Sequence, residues 1–125
     1  MLINDKEYMN NLFAKRIEAG DFIITAEYLP GTNLDGIPIE ELKESGAVAI
    51  NISDNPYGPI ISSLASAVRL QRADIEPILQ IVTRDRNRIA LQSDILGAVS
   101  LGVNNILCLS GYHQSFTDLP ESAHV

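Results

Sequence analysis

Apolar residues recur along the chain at two alternating spacings. From Asn4 to Ala19 they lie three or four residues apart, which predicts a helix that Gly20 ends. Runs rich in β-forming residues follow, closed by polar or turn-forming residues, with further segments of helical spacing between them. The predicted strands are Phe22–Leu29, Val48–Ser53, Ile78–Thr83 and Asn105–Leu109, and the helices between them are Ile37–Ser45, Ile60–Arg72 and Ile89–Leu101. The pattern predicts four strand-helix units, the last of them without a helix after its strand.

Strands that are apolar on both faces and separated by helices are typical of a parallel sheet. An open doubly wound sheet and half of an eight-stranded barrel both fit this pattern. The barrel is favoured because no glycine-rich fingerprint follows the first strand and because polar residues gather at the carboxyl ends of all four strands. Those polar residues are Glu27, Ser53–Tyr57, Thr83–Asn87 and Ser110–Gln114. We expect an α/β fold of the parallel (β/α)8 TIM-barrel type, with residues 1–125 forming one partial barrel domain of the first four units.

The chain is acidic, since sixteen Asp and Glu residues against nine Lys and Arg give a formal charge of −7. This balance disfavours a nucleic-acid partner. The amino terminus lacks the pattern of a signal peptide, and no apolar stretch approaches the roughly 20 residues that span a bilayer, so we expect a cytoplasmic protein outside the membrane. The single cysteine, Cys108, lies in an apolar run, and we expect it to be buried and reduced.

Glu27 is the most informative polar residue, because a carboxylate near the end of an apolar strand must be paired, solvated or used. It is either satisfied by a nearby arginine or available as a general acid. The loop Thr83–Arg88 (TRDRNR) suits an anionic ligand such as a diphosphate, although charged loops are common. Gly111, beside Ser110 and Tyr112, would let the backbone approach a planar cofactor closely, or it would simply serve a turn.

The two histidines, His113 and His124, are accompanied by no second cysteine or acidic cluster. We therefore expect no metal site. Ser115 and Asp118 lie near His113 in the sequence, but no nucleophile elbow is present, so a hydrolytic triad is not expected either.

Three sequence blocks carry a resemblance to a known family. The blocks are ITAEYLPG, INISDNPYGP and EPILQIVTRDRNRIALQSDILGAVSLGVNNILCLSG, and together they cover roughly Asp21 to Ser115. In this order they resemble the amino-terminal half of methylenetetrahydrofolate reductases, particularly the divergent bacterial and archaeal branch. The resemblance implies an eight-stranded β/α barrel with FAD at the carboxyl ends of its strands. It also implies hydride transfer from NAD(P)H or another electron donor, through the flavin, to 5,10-methylenetetrahydrofolate, giving 5-methyltetrahydrofolate in one-carbon metabolism.

The resemblance assigns roles to residues on the first three strands. Glu27 matches the glutamate that acts as general acid and protonates the folate amine, so that the ring opens to an electrophilic iminium. Ser53 matches a hydroxyl residue that contacts the flavin, and Gln80 falls where many members have a flavin-contacting histidine. Both side chains keep hydrogen bonding possible.

Two further loops match cofactor-binding segments of the family. Thr83, Arg84 and Asp85 lie in the loop after the third strand, whose neighbourhood helps to bind the cofactor. After the fourth strand the family reads glycine then aspartate, whereas this chain has Gly111 followed by Tyr112. We expect the loss of that carboxylate to alter the flavin potential and the folate contacts.

Four units do not close an eight-stranded barrel. We therefore expect either a piece of a longer enzyme or a homo-oligomer or second chain that completes the barrel. A degenerate, non-catalytic half-barrel subunit is the alternative function, and a related barrel acting on another pterin or corrinoid system is a third. Bound flavin would separate the first from the second, and the acceptor would separate the first from the third.

Overall fold

Four parallel strands form one sheet in the order β1-β2-β3-β4 in the computed structural model, which describes residues 11–118. The strands are β1 (Thr25–Tyr28), β2 (Ala49–Ile52), β3 (Pro77–Val82) and β4 (Ile106–Leu109). The helices are α1 (Leu12–Glu18), α2 (Ile39–Glu44), α3 (Ser63–Gln71) and α4 (Arg88–Ser100), with 3-10 turns at Leu34–Gly36 and Gln114–Phe116. The predicted α/β class with a parallel sheet is confirmed.

Each strand pairs with the next strand in the sequence. Glu27 of β1 is opposite Asn51 of β2, and Gln80 of β3 is opposite Leu107 of β4. Because side chains alternate between the two faces of a strand, the sheet divides its residues into two sets. One set faces the helices, and the other, which includes Glu27 and Gln80, faces the opposite side.

The helix-facing set forms the hydrophobic core. Its strand members include Ile50, Ile52, Leu79 and Ile81, all of them buried. Helix α3 packs against β2 and β3 and places Ala67 and Leu70 in the same cluster. Burying a side chain of Leu or Ile size contributes roughly 1.5–3 kcal/mol, so this face accounts for much of the stability of the sheet.

Side chains cap the starts of α1, α3 and α4, whereas α2 begins after Pro38 without a side-chain cap. The side chain of Asn11 accepts a hydrogen bond from the Ala14 amide and caps α1, which begins at Leu12, within the helix predicted over Asn4–Ala19. Its predicted members Tyr8 and Met9 lie outside the described residues.

The start of α3 differs from the one that the sequence predicts. The sequence predicts that Pro59 introduces this helix near Ile60, but the side chain of Ser62 caps it and the helix begins at Ser63. A capping serine satisfies an amide that would otherwise have no partner in the first turn, and this fixes the start of the helix.

The two outer strands are less covered than the inner ones. All six residues of β3 are buried, whereas β1 and β4 each contain two exposed residues. Cys108 lies on β4 and is exposed, so the prediction that it is buried is wrong. Its strand has only one neighbour, β3, within residues 11–118. No helix in this range is long and apolar enough to cross a membrane.

Candidate functional site

A cavity of about 430 Å³ opens at the carboxyl ends of the strands, on the face of the sheet away from the core. Small-molecule sites have volumes of this order. All predicted site residues except Thr83 and Asp85 line it: Glu27, Ser53, Gln80, Arg84, Ser110, Gly111 and Tyr112. The apolar part of the wall comes from Pro56, Val82, Leu107 and Leu109. One ligand-sized space therefore brings together residues from all four strand ends.

Glu27 and Ser53 form a hydrogen-bonded pair in this cavity. The Ser53 hydroxyl is buried and donates to Glu27 Oε1 over 2.6 Å, while the glutamate itself is exposed. No arginine lies within ion-pair distance of Glu27 in the described part of the chain, so the alternative of an arginine-satisfied glutamate is wrong. Glu27 itself lines the cavity, beside its partner Ser53.

Gln80 is held by the strand beside it. Its amide nitrogen donates to Asn51 Oδ1 over 3.1 Å, and the Gln80 side chain is largely buried. Asn51 is opposite Glu27 in the register of β1 and β2. Glu27, Asn51 and Gln80 thus form a polar row across three neighbouring strands, on the face of the sheet away from the core.

A buried ion pair fixes the loop after β2 against the loop after β3. Asp54 is 1% exposed, and its carboxylate accepts from Arg86 Nη1 at 2.5 Å and Nη2 at 3.1 Å. The same carboxylate accepts from the Val82 amide at 2.8 Å, and Arg86 also donates to Asp94 at 3.1 Å. The hydrogen bonds that Arg86 donates to Asp54 raise the pKa of Arg86 above its usual value, which keeps the guanidinium charged.

Arg84 lies at the centre of the site and joins three loops. Its guanidinium donates to the carbonyls of Asn55 at 2.9 Å and Tyr112 at 3.1 Å. Asp85 accepts two hydrogen bonds from it, at 2.9 and 2.6 Å, and raises its pKa above the usual value. Two of the arginines predicted to attract an anion, Arg84 and Arg86, are therefore already paired with carboxylates.

Gly111 occupies a backbone position that needs glycine. Its φ is +80°, and a Cβ built there would approach Val82 Cγ1 to 2.5 Å. Non-glycine residues adopt this conformation at a cost, and a contact under 3 Å adds a steric one. The absence of a side chain lets the backbone of the β4 loop pack directly over the end of β3, beside the cavity.

No family model matches this chain, and no curated protein matches it. Function is therefore inferred from the site residues and from the resemblance of the three sequence blocks.

Two predicted residues lie outside the cavity lining. Thr83 is exposed, and its amide donates to the Leu109 carbonyl over 2.9 Å, which extends the β3–β4 ladder. Asp85 orients Arg84 rather than facing the cavity. Sequence reasoning missed Asn51 and the bonding of Asp54 to Arg86, because the partners of these side chains lie on other strands and loops.

The arrangement combines three chemical capabilities in one space. It offers an exposed carboxylate oriented by a hydroxyl group, amide and hydroxyl groups for polar recognition, and an apolar wall beside a glycine backbone. Such a site can bind a planar, partly polar molecule and exchange a proton with it.

Proposed function

We propose that the chain forms half of a (β/α)8 barrel of the methylenetetrahydrofolate reductase type and takes part in the flavin-dependent reduction of 5,10-methylenetetrahydrofolate to 5-methyltetrahydrofolate. The strand order supports the barrel. Sequential parallel pairing is the order of barrel strands, whereas a doubly wound sheet reverses direction at its switch point. The observation that carries the function is the Glu27–Ser53 pair inside a cavity at the carboxyl ends of the strands.

The residues around the cavity fit a flavin ring. Gly111 lets backbone lie close to the cavity, Val82 and Leu109 supply apolar surface, and Ser53 and Gln80 supply hydrogen-bonding groups. A bound flavin would supply the hydride that the reaction needs. The electron donor, NAD(P)H or another reductant, stays a prediction from the resemblance.

Glu27 is proposed as the general acid. A protonated Glu27 carboxyl gives its proton to the amine nitrogen of the folate, the carbon–nitrogen bond to that nitrogen breaks, and an iminium carbon results that can accept hydride. Ser53 fixes the position of one carboxyl oxygen, so that the other can face the substrate.

FAD is first added to the purified protein, and co-elution of a visible flavin band establishes that it binds. The test then measures two half-reactions separately, namely reduction of the flavin by the electron donor and transfer from the reduced flavin to methylenetetrahydrofolate. Glu27→Gln keeps the acceptor for the Ser53 hydroxyl but has no proton to donate. We expect flavin reduction by the donor at the wild-type rate and transfer to methylenetetrahydrofolate slowed by roughly 10²–10⁴-fold.

Glu76→Gln is the matched control, because it makes the same change at the opposite end of the sheet. It should leave both half-reactions unchanged. Folate reduction that survives Glu27→Gln would overturn the general-acid role, and a protein that retains no flavin would favour the non-catalytic alternative. The mass in solution, measured alongside, tests the predicted homo-oligomer or second chain.

A further inference from the structure

Two tyrosines from different loops stack on each other beside the cavity. Tyr57 follows β2 and Tyr112 follows β4, and their ring centroids are 5.8 Å apart with planes inclined by 7°. Offset parallel stacking is a favourable arrangement for two aromatic rings. Both residues nevertheless remain more than half exposed, at 52% and 56%. The stack therefore presents aromatic surface to the outside of the fold, where a ligand could cover it.

The protein holds this stack in place through its backbone. The guanidinium of Arg84 bonds to the carbonyl of Tyr112 and to that of Asn55, two residues before Tyr57. The carbonyl of Tyr57 also accepts a hydrogen bond from the Asp118 amide over 2.6 Å. The carboxylate of Asp85 orients Arg84 in turn. Because these bonds join the two loops, the rings are already arranged before any ligand binds.

Only one of the two stacked tyrosines lines the cavity. Tyr112 lines the cavity together with Gly111, whereas Tyr57 is not among the lining residues. Tyr112 thus lines the cavity while the ring of Tyr57 stacks on the ring of Tyr112.

We propose that Tyr112, supported by Tyr57, is a stacking wall that selects a planar heteroaromatic ring as the ligand of this cavity. The inference deepens the proposed function and rests on it for the site. The isoalloxazine ring of a flavin and the pterin ring of a folate both belong to this class. Stacking a base on an aromatic side chain strengthens binding by roughly ten- to hundred-fold. Arg84 is the positioning residue of the wall.

The experiment titrates three probes into the wild type and four variants. Lumiflavin carries the isoalloxazine ring without phosphates, folic acid carries a pterin, and inorganic pyrophosphate carries no ring. The variants are Tyr112→Leu, Tyr112→Phe, Tyr57→Leu and Phe116→Leu. The last is the matched control, because Phe116 is an exposed aromatic residue that contacts the His113 ring and does not line the cavity. Urea unfolding of each variant verifies that it folds.

We expect Tyr112→Leu to weaken binding of at least one ring probe by roughly ten- to hundred-fold, and Tyr57→Leu to weaken it less. Tyr112→Phe and Phe116→Leu should bind within about two-fold of the wild type, since the stacking surface is kept. Tyr112→Phe should also brighten bound lumiflavin, because a tyrosine in contact quenches flavin emission by electron transfer and phenylalanine does not. Pyrophosphate binding should be the same in all variants.

The outcomes distinguish failure of the stacking role of Tyr112 from failure of the proposed flavin function. Lumiflavin binding that Tyr112→Leu leaves unchanged would overturn the wall while the flavin function stands. Loss of pterin binding in Tyr112→Leu, with no flavin bound by the wild type, would support the wall and overturn the flavin function. Absence of binding by both ring probes would overturn both.

Discussion

The two ends of the sheet both carry buried polar side chains, but they use them differently. At the amino end, Asn11 donates to Asn105 over 2.7 Å, and Asn105 donates to Glu76 over 2.5 Å. The carbonyl oxygen of the Asn11 side chain also caps α1. These groups bond to one another and are not among the residues that line the cavity at the carboxyl end. They connect the start of α1 to the starts of β3 and β4, which is a structural task.

At the carboxyl end the bonded groups support other groups that remain open. Asp54 and Arg86 are paired, and Arg84 is held by Asp85, yet Glu27 is exposed with one hydrogen bond in the described structure. The Asp54–Arg86 and Arg84–Asp85 ion pairs therefore fix the loops, while the carboxylate of Glu27 lines the cavity. Ligands of parallel α/β sheets bind outside the carboxyl ends of their strands. The amino end therefore serves stability, and the carboxyl end combines stability with the open polar site at which we propose that a ligand binds.

Removing the buried carboxylate should have the largest effect on stability. Asp54→Ala leaves Arg86, with 18% of its side chain exposed, without its bidentate partner, and the Val82 amide without an acceptor. Breaking a buried pair from one side costs about 3–5 kcal/mol. Urea unfolding followed by circular dichroism measures the loss in the free energy of unfolding.

Asp94→Ala is the control for this prediction, since Asp94 pairs with the same arginine but is 42% exposed. Its loss should be below about 1 kcal/mol. If both variants lost the same free energy of unfolding, the carboxyl end would depend on surface charge rather than on the buried Asp54–Arg86 pair.

Gly111→Ala should have the next largest effect, because it disturbs the backbone at the cavity. A Cβ at φ +80° is strained, and it would also approach Val82 Cγ1 to 2.5 Å. Strain and overpacking together cost about 3 kcal/mol. Gly46 provides a matched control, with φ +76° and no atom within 4 Å of an added Cβ.

Gly46→Ala should therefore cost only the conformational strain, about 1 kcal/mol. The difference between the two glycine variants isolates the close approach of the β4 loop to β3. If both lose the same free energy of unfolding, the packing of Gly111 over Val82 contributes nothing.

The order and the type of the elements could be predicted from the sequence, since each β-rich run is bounded by turn residues. The first and last residues of these helices and strands could not be predicted. Phe22 has a high strand propensity and was predicted in β1, but it is 90% exposed and the strand begins at Thr25. Pairing with a neighbouring strand sets where a strand starts, and propensity does not encode it. The same holds for Cys108, whose exposure depends on which strands cover β4.

The site residues that lie at the carboxyl ends of strands could be predicted from the sequence. Glu27 stands out because a carboxylate is unusual in an apolar strand, and parallel strands bring their carboxyl ends together. The partner of Arg86 could not be predicted, because Asp54 lies 32 residues away and no local spacing relates them. The stack of Tyr57 on Tyr112 was missed for the same reason, since only the folded loops bring the two rings together.

The smallest expected effect lies at the amino end and depends on pH. Partial burial raises the pKa of Glu76 above its usual value of 4.5, and the hydrogen bond from Asn105 opposes this in part. A carboxyl whose pKa is higher in the folded state favours folding when it is protonated. Its contribution is complete below pH 4.5 and is lost as the pH rises through the folded pKa.

Glu76→Gln removes this titration while an amide oxygen can still accept from Asn105. Relative to the wild type, the variant should gain in its free energy of unfolding as the pH is raised from 4 to 7. Urea midpoints at both pH values, for the wild type and the variant, measure the change. A difference that stays constant with pH would mean that burial does not act on Glu76. If Glu76→Gln instead altered ligand binding at the carboxyl end, the distinction between the two ends of the sheet would be wrong. A side chain at the amino end would then influence ligand binding as well as stability.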